Sequence, residues 1–284
     1  MAAQILDGAK ISGELREEIR TRVLEMQEKT GKIPGLGVIL VGNDHASEIY
    51  VRNKENGCRE VGMHSETVLL PVDTDQGTLE HAIEKLNQDP HIHGILVQLP
   101  LPPHLDKAAA LARILPEKDV DGFHVMNAGK LLEGYGGVIP CTPRGALHMI
   151  RQTGISPDGL NAVIVGRSNI VGKPMALLLL QENCTVTICH SRTKNLKEFT
   201  KQADILVAAV GKAVFITADM VKPGAVVVDV GINRVDGKVR GDVDFEGVSQ
   251  VASWITPGPG GVGKMTITML LANTVEAAER KLKA

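Results

Sequence analysis

Aromatic residues are scarce in this chain: one Trp, two Tyr and four Phe among 284 residues, or 2%. Proteins that hold single-stranded nucleic acid stack bases on several such rings, so this scarcity argues against that class of ligand. An excess of charge of one sign is lacking too. Lys and Arg together number 31 against 33 Asp and Glu, a formal net charge of −2. That balance gives no field to draw a phosphate backbone or an anionic lipid surface, so neither nucleic acid nor membrane is expected as a partner. The longest apolar runs, at 38–41, 176–180 and 225–228, are far too short to cross a bilayer. The opening stretch, Met1-Ala-Ala-Gln-Ile-Leu-Asp-Gly8, offers no basic segment, apolar segment or cleavage site of a secretory signal. Cysteine is sparse as well. Cys58, Cys141, Cys184 and Cys189 form neither a CxxC pair nor an even ladder, which favours reduced thiols and a cytoplasmic location. No metal site is expected: His91 and His93 are one residue apart before a strand, with no partnering carboxylate or cysteine.

What remains is a globular composition, 43% hydrophobic and 23% charged, with room for two domains that each bury a core. Short β-branched runs alternate with longer amphipathic segments, the pattern of an α/β protein built on parallel sheets. Strands are expected at 37–41, 66–70, 94–99, 162–165, 185–189, 205–209 and 225–230. Helices are expected at 9–29, 46–61, 79–87, 143–152, 171–181, 196–202 and 265–283. The first helix repeats apolar residues at Ile11, Leu15, Ile19, Val23 and Met26, a 3.6-residue stripe. A cluster of Gly134, Gly136, Gly137 and Pro140 marks a break. The expected division is therefore 1–140, with a returning C-terminal helix at 265–284, and a second domain at 141–264.

In the second half, residues 161–174 read as a strand, a glycine turn and a helix start. Gly166 allows the tight turn and Gly172 the close approach of helix to strand, leaving helix N–H groups for a pyrophosphate. Ser168 stands where a second glycine usually falls, and a purely structural turn can use the same two glycines. The next strand ends Cys189-His-Ser-Arg-Thr-Lys194, where an NAD site would carry an acidic residue for the ribose. Ser191 and Arg192 would instead bind a 2′-phosphate, so the expected cofactor is NADP, held in a Rossmann-type doubly wound sheet; a solvated basic turn is the plainer alternative. Ile232, in the loop after the strand at 225–230, is placed to meet the nicotinamide half.

Residues 258–266, Gly-Pro-Gly-Gly-Val-Gly-Lys-Met-Thr, nearly spell a phosphate-binding P-loop. Met265 occupies the position that must offer magnesium a hydroxyl, and too little chain follows to supply a second carboxylate. A glycine-rich loop packed against a flat ligand is the better reading.

In the first half, Tyr50 and Lys54 are i,i+4 neighbours on one helix face, where a partly desolvated lysine exchanges protons near neutral pH. An ordinary surface lysine has the same spacing. Gln98 is a lone amide at the end of the apolar strand Gly94-Ile-Leu-Val-Gln-Leu-Pro-Leu-Pro102, and Asp121 precedes a glycine turn in Lys118-Asp-Val-Asp-Gly-Phe-His124. A core amide and a turn aspartate are the bland readings.

These stretches, with Pro140-Cys-Thr-Pro143, Val165-Gly-Arg-Ser-Asn-Ile-Val-Gly-Lys-Pro174 and Thr256-Pro-Gly-Pro-Gly-Gly-Val-Gly263, run in order along nearly the whole chain. Together they resemble the bifunctional methylenetetrahydrofolate dehydrogenases/cyclohydrolases. The resemblance implies an α/β substrate domain and a Rossmann-type domain with the active-site cleft between them, and a homodimer formed through the nucleotide domain. It implies Lys54 as the key catalytic residue, Tyr50 packed beside the folate, Gln98 tuning Lys54, and Asp121 holding the pterin amino and ring N–H groups. Val97, Leu99, Pro257, Gly258, Pro259, Gly260 and Gly261 would complete the folate contacts. Gly166, Arg167, Ser168, Ser191, Arg192 and Ile232 would carry the NADP. The chain departs from the family pattern at Val125-Met126, where Pro-Tyr is usual, and at Gly258 and Lys264, where Val and Pro are usual. Rival readings are an NADP oxidoreductase of small amino or keto acids, a non-catalytic dinucleotide sensor, and a dehydrogenase without hydrolase activity.

Overall fold

The computed structural model describes residues 2–283. The chain runs β1 (Gln4–Ile5), α1 (Gly8–Thr30), β2 (Gly35–Val41), α2 (His45–Val61), β3 (His64–Leu70), α3 (Gln76–Gln88), β4 (Gly94–Val97), α4 (Lys107–Arg113) and α5 (Val125–Glu133). It continues α6 (Cys141–Arg151), β5 (Asn161–Val165), α7 (Gly172–Gln181), β6 (Thr185–Cys189), α8 (Leu196–Thr200), β7 (Ile205–Ala208), β8 (Val226–Asp229), β9 (Asn233–Val235), β10 (Lys238–Arg240), α9 (Phe245–Val248), β11 (Trp254–Ile255) and α10 (Val262–Lys283). No helix of the described residues is long and apolar enough to cross a membrane.

Two compact units share this chain. One comprises Glu14–Cys141 and the C-terminal segment from Ile267; the other comprises the first thirteen residues and Thr142–Thr266. The opening residues thus differ from the expected division at 1–140. The reason is a backbone ladder: β1 pairs in parallel with β11, and Leu6 N donates to Ile255 O at 2.8 Å. A two-residue strand leaves no periodic signal, so its distant partner was not visible in the local pattern.

In the unit of Glu14–Cys141, three parallel strands lie in the order β3-β2-β4. β2 is buried at every position, as a central parallel strand covered on both faces must be. Helix α2 starts at Asp44, whose carboxylate accepts the Ser47 N–H at 2.8 Å, and stops at the left-handed Gly62. Gly94 opens β4 for a reason of space: a Cβ there would press into Val120 and Thr274. The missing side chain lets the segment 118–121 lie against the strand, Ile95 N donating to Lys118 O at 2.6 Å.

In the other unit, six strands lie in the order β1-β11-β8-β7-β5-β6, all parallel. The chain leaves β5 for β6 on one side and then returns to β7 on the other, the doubly wound arrangement. The switch point therefore falls at the C-terminal ends of β5 and β7, where open α/β sheets bind ligands. Its loops hang on two buried carboxylates. Asp242, fully buried, accepts N–H groups from Val210, Gly211 and Lys212 at 2.6–2.9 Å and the Asn233 amide at 2.9 Å. Asp229 accepts from Gly231, Asp242 and Val243, each at 2.9 Å. Asp242→Ala should leave the part-buried donors of Val210, Gly211, Lys212 and Asn233 without their acceptor, each costing about 1 kcal/mol. Urea unfolding should accordingly show a loss of roughly 3 kcal/mol or more, and an unchanged midpoint would refute the pinning role.

Candidate active site

Lys54, Gln98 and Asp121 come from α2, from the residue after β4 and from the turn that follows the segment against β4. The half-buried Lys54 ammonium donates to Gln98 Oε1 at 2.7 Å. Gln98 is itself fixed: its backbone N–H continues the sheet ladder to Ile39 O, and its Nε2 donates to Leu99 O at 2.7 Å. The side-chain amide therefore has one orientation, oxygen toward the lysine. Burial lowers the Lys54 pKa from the ordinary lysine range, and the negative charge available at Asp121 opposes this. Burial also pushes Asp121 up to about 6, while Lys54 pulls it down. A lysine and an acid whose proton affinities are both drawn toward neutrality thus lie close enough to act on each other's charge.

Three residues that sequence reasoning did not single out hold Asp121 in place. Asp119, 1% exposed, accepts the N–H groups of Phe123 and His124 and the amide of Asn127, closing the turn. Asn273 on α10 donates to Val120 O and Ile139 O at 2.8 and 3.0 Å. The Cys141 thiol donates to Val120 O at 3.3 Å and lies 3.9 Å from the Asp121 carboxylate. The available signal was positional: Asp119 and Cys141 sit inside the quoted motifs, whereas nothing local marks Asn273.

Tyr50 is exposed, one helical turn before Lys54. Val97, expected among the folate contacts, is 1% exposed and belongs to the apolar core with Ile39, Ile83 and Ile95. Its side chain is engaged in that core, and its backbone groups border Gln98. Leu99 is half-buried next to Gln98.

The remaining expected residues lie in the other unit. Gly166 follows β5 with φ +138°, and a Cβ there would overlap the Ala209 carbonyl; one at Gly172 would overlap Gly166. Both positions thus demand glycine, and together they bring α7 hard against the strand end. Ser168 Oγ accepts the N–H groups of Val171 and Gly172 at 3.2 and 3.3 Å, shaping the loop before α7. At the tip of β6, Thr193 Oγ1 accepts the His190 N–H, and His190 Nδ1 accepts the Arg192 backbone N–H. That turn leaves the Ser191 and Arg192 side chains exposed, with no side-chain hydrogen bond or ion pair among the described residues. Arg167 is likewise exposed and without such a partner among the described residues. No carboxylate occupies the tip, so the donor set suits a ribose phosphate. Ile232 is 55% exposed in the loop pinned by Asp229 and Asp242. Pro257, Gly258, Pro259, Gly260 and Gly261 form the loop between β11 and α10. Met265 is fully buried, which removes the P-loop reading.

Two family models match this chain. Residues 6–121 match the catalytic domain of tetrahydrofolate dehydrogenase/cyclohydrolase, and residues 140–282 match the NAD(P)-binding domain of the same family. The chain belongs to the tetrahydrofolate dehydrogenase/cyclohydrolase family. It is 60% identical over 282 residues to the bifunctional protein FolD of Dechloromonas aromatica, covering 99% of both chains. Among solved structures, the FolD dehydrogenase/cyclohydrolase of Campylobacter jejuni matches with a TM-score of 0.96 at 47% identity, over 99% of this chain and all of that one. The Trypanosoma brucei enzyme, solved with NADP and an inhibitor, matches with a TM-score of 0.95 at 36% identity over the full length of both. Membership of this family sets aside the sensor and the amino- or keto-acid oxidoreductase.

The raised Asp121 pKa has a measurable consequence. An acid whose pKa is higher folded than unfolded favours the fold below its ordinary range near 4 and loses that advantage as pH rises through about 6. Asp121→Asn, which stays neutral, should melt at a higher temperature than wild type at pH 7.5, and the gap should close toward pH 4. A gap independent of pH would show that the carboxylate is not strained by burial.

Proposed function

We propose that the Lys54 cluster is the centre at which this enzyme carries out both family reactions. These are NADP-dependent oxidation of methylenetetrahydrofolate to methenyltetrahydrofolate, then hydrolysis to 10-formyltetrahydrofolate. The observation that carries the assignment is the 2.7 Å contact from Lys54 to Gln98 beside the half-buried Asp121.

In the first reaction hydride leaves the carbon bridging two folate nitrogens, and those nitrogens stabilise the resulting cation. NADP, when bound, supplies the hydride acceptor. The chain's own task in this step is alignment, which contributes several kcal/mol, of order ~5, when reacting atoms are held in register. The Asp121 carboxylate, ionised above about pH 6, would accept the pterin amino and ring N–H groups. Tyr50, Leu99 and the loop of Pro257, Gly258, Pro259, Gly260 and Gly261 would flank the ring.

Hydrolysis requires water to attack the cationic carbon, a proton to leave that water, and a folate nitrogen to depart protonated. A lysine whose pKa is lowered by burial releases and takes back a proton more readily than an ordinary lysine, so the same group can serve both transfers. Gln98 holds Nζ in place without adding charge, so it does not raise the pKa as a carboxylate would. Lys54→Met should abolish methenyl hydrolysis, a loss of about 10²–10⁴-fold, with NADP affinity essentially retained. Loss of the methenyl absorbance reads this out, and hydrolysis at the wild-type rate would defeat the role.

Gly166, Arg167, Ser168, Ser191, Arg192 and Ile232 would hold the cofactor, with Ser191 and Arg192 on the 2′-phosphate. Ser191→Ala with Arg192→Ala should raise KM for NADP about tenfold or more while moving KM for NAD little. An equal rise for both cofactors would refute the phosphate contact.

We place the enzyme in the cytoplasm, a reading supported by four buried cysteines that form no disulfide among the described residues. We also read it as a homodimer joined through the nucleotide unit. In support, β6 is a free sheet edge with Ile188 39% exposed on it.

A further inference from the structure

A cavity of about 600 Å³ lies in the unit of Glu14–Cys141 at the other end of β4 from the Lys54 site. His93, immediately before β4, lines it, whereas Gln98, immediately after β4, belongs to the catalytic cluster. Its volume falls in the range of small-molecule sites.

The lining carries cations with little to offset them. Lys118, Lys130, Arg280 and Lys281 border the cavity against one carboxylate, Glu117. Lys118 is 6% exposed, and its ammonium donates to three backbone carbonyls, those of Leu86, Asn87 and Asp89, at 2.7–2.9 Å. No carboxylate among the described residues forms an ion pair with it; burial and the charge of Lys281 lower its pKa to about 8, against the opposing charges of Asp89 and Glu117, so a mostly protonated ammonium stands at the cavity wall. Burial and the charges of Lys281, Lys118 and Lys32 hold the neighbouring His93 ring at about 4, so it stays neutral. Lys130 and Arg280 make no side-chain hydrogen bond or ion pair with the rest of the described chain. Leu115, Pro116 and Val138 supply an apolar wall, and Tyr135, 81% exposed, stands at the rim. An exposed tyrosine ring beside unpaired cations can stack on a planar base while the cations meet a phosphate.

We propose that this cavity binds a phosphate-bearing organic anion of nucleotide size, at a site separate from those for folate and NADP. Its cationic rim would take the phosphates and Tyr135 the planar body. The reading is independent of the role given to Lys54.

The test is calorimetric titration of ADP into the full-length protein saturated with NADP at physiological ionic strength. One further site is expected, unaffected by Lys54→Met. Lys130→Ala combined with Arg280→Ala should weaken it about tenfold or more while leaving the melting temperature and dehydrogenase activity unchanged. Tyr135→Ala should weaken ADP but not pyrophosphate. Absence of ADP binding, or ADP binding unchanged in the Lys130/Arg280 variant, would overturn the site. Pyrophosphate binding as tightly as ADP would overturn the assignment to a nucleotide-sized ligand.

Discussion

An ammonium group taken partly out of water is the constraint on which the catalytic centre is built. Left alone it would be expensive, and a full carboxylate partner would lock its proton in place. The chain takes a middle course. A neutral amide gives Lys54 direction, and an acid close enough to interact, but itself reluctant to ionise, keeps the lysine from losing its charge altogether. The proton affinities of base and acid are thereby brought toward each other, which suits a reaction that needs a proton first removed and then delivered.

Most of the surrounding framework can be read as support for that arrangement. Gly94 has no side chain so that the segment bearing Asp121 can press against β4. Asp119, Asn273 and Cys141 use up the backbone groups around the turn. In the nucleotide unit the same device recurs, with Asp229 and Asp242 gathering the N–H groups of loops that no regular structure satisfies. Buried carboxylates thus hold irregular backbone at both places where the chain needs a fixed loop.

The regular elements were legible because their signals are local. Along the α1 stripe Ile11, Ile19, Val23 and Met26 are buried and Leu15 half-buried, and the expected strands lie within a residue or two of those found. The strand at 94–99 ends earlier, at Val97, as the chain turns toward Pro100. Short elements were missed: β1 and β11 have two residues each and pair across the length of the chain, the β9–β10 hairpin has three per strand, and α4 and α5 are short helices without a long apolar stripe. The same distinction runs through the site. Lys54, Gln98 and Asp121 stand out by type and position, but the residues that orient them are ordinary polar side chains whose partners lie up to 153 positions away. Val97 shows the alternation of a strand: its side chain packs into the core, while that of the adjacent Gln98 turns the other way, to Lys54.

The pairing of β1 with β11 bears on how the nucleotide-binding half could be isolated. A fragment cut at 142–266 keeps the glycine turn and the β6 tip but leaves the outer edge of β11 without its neighbour. The bared N–H and C=O groups would form an adhesive border open to strands of other molecules. Autonomous production of that half therefore calls for grafting the first dozen residues back on, or for a substitute that caps the border.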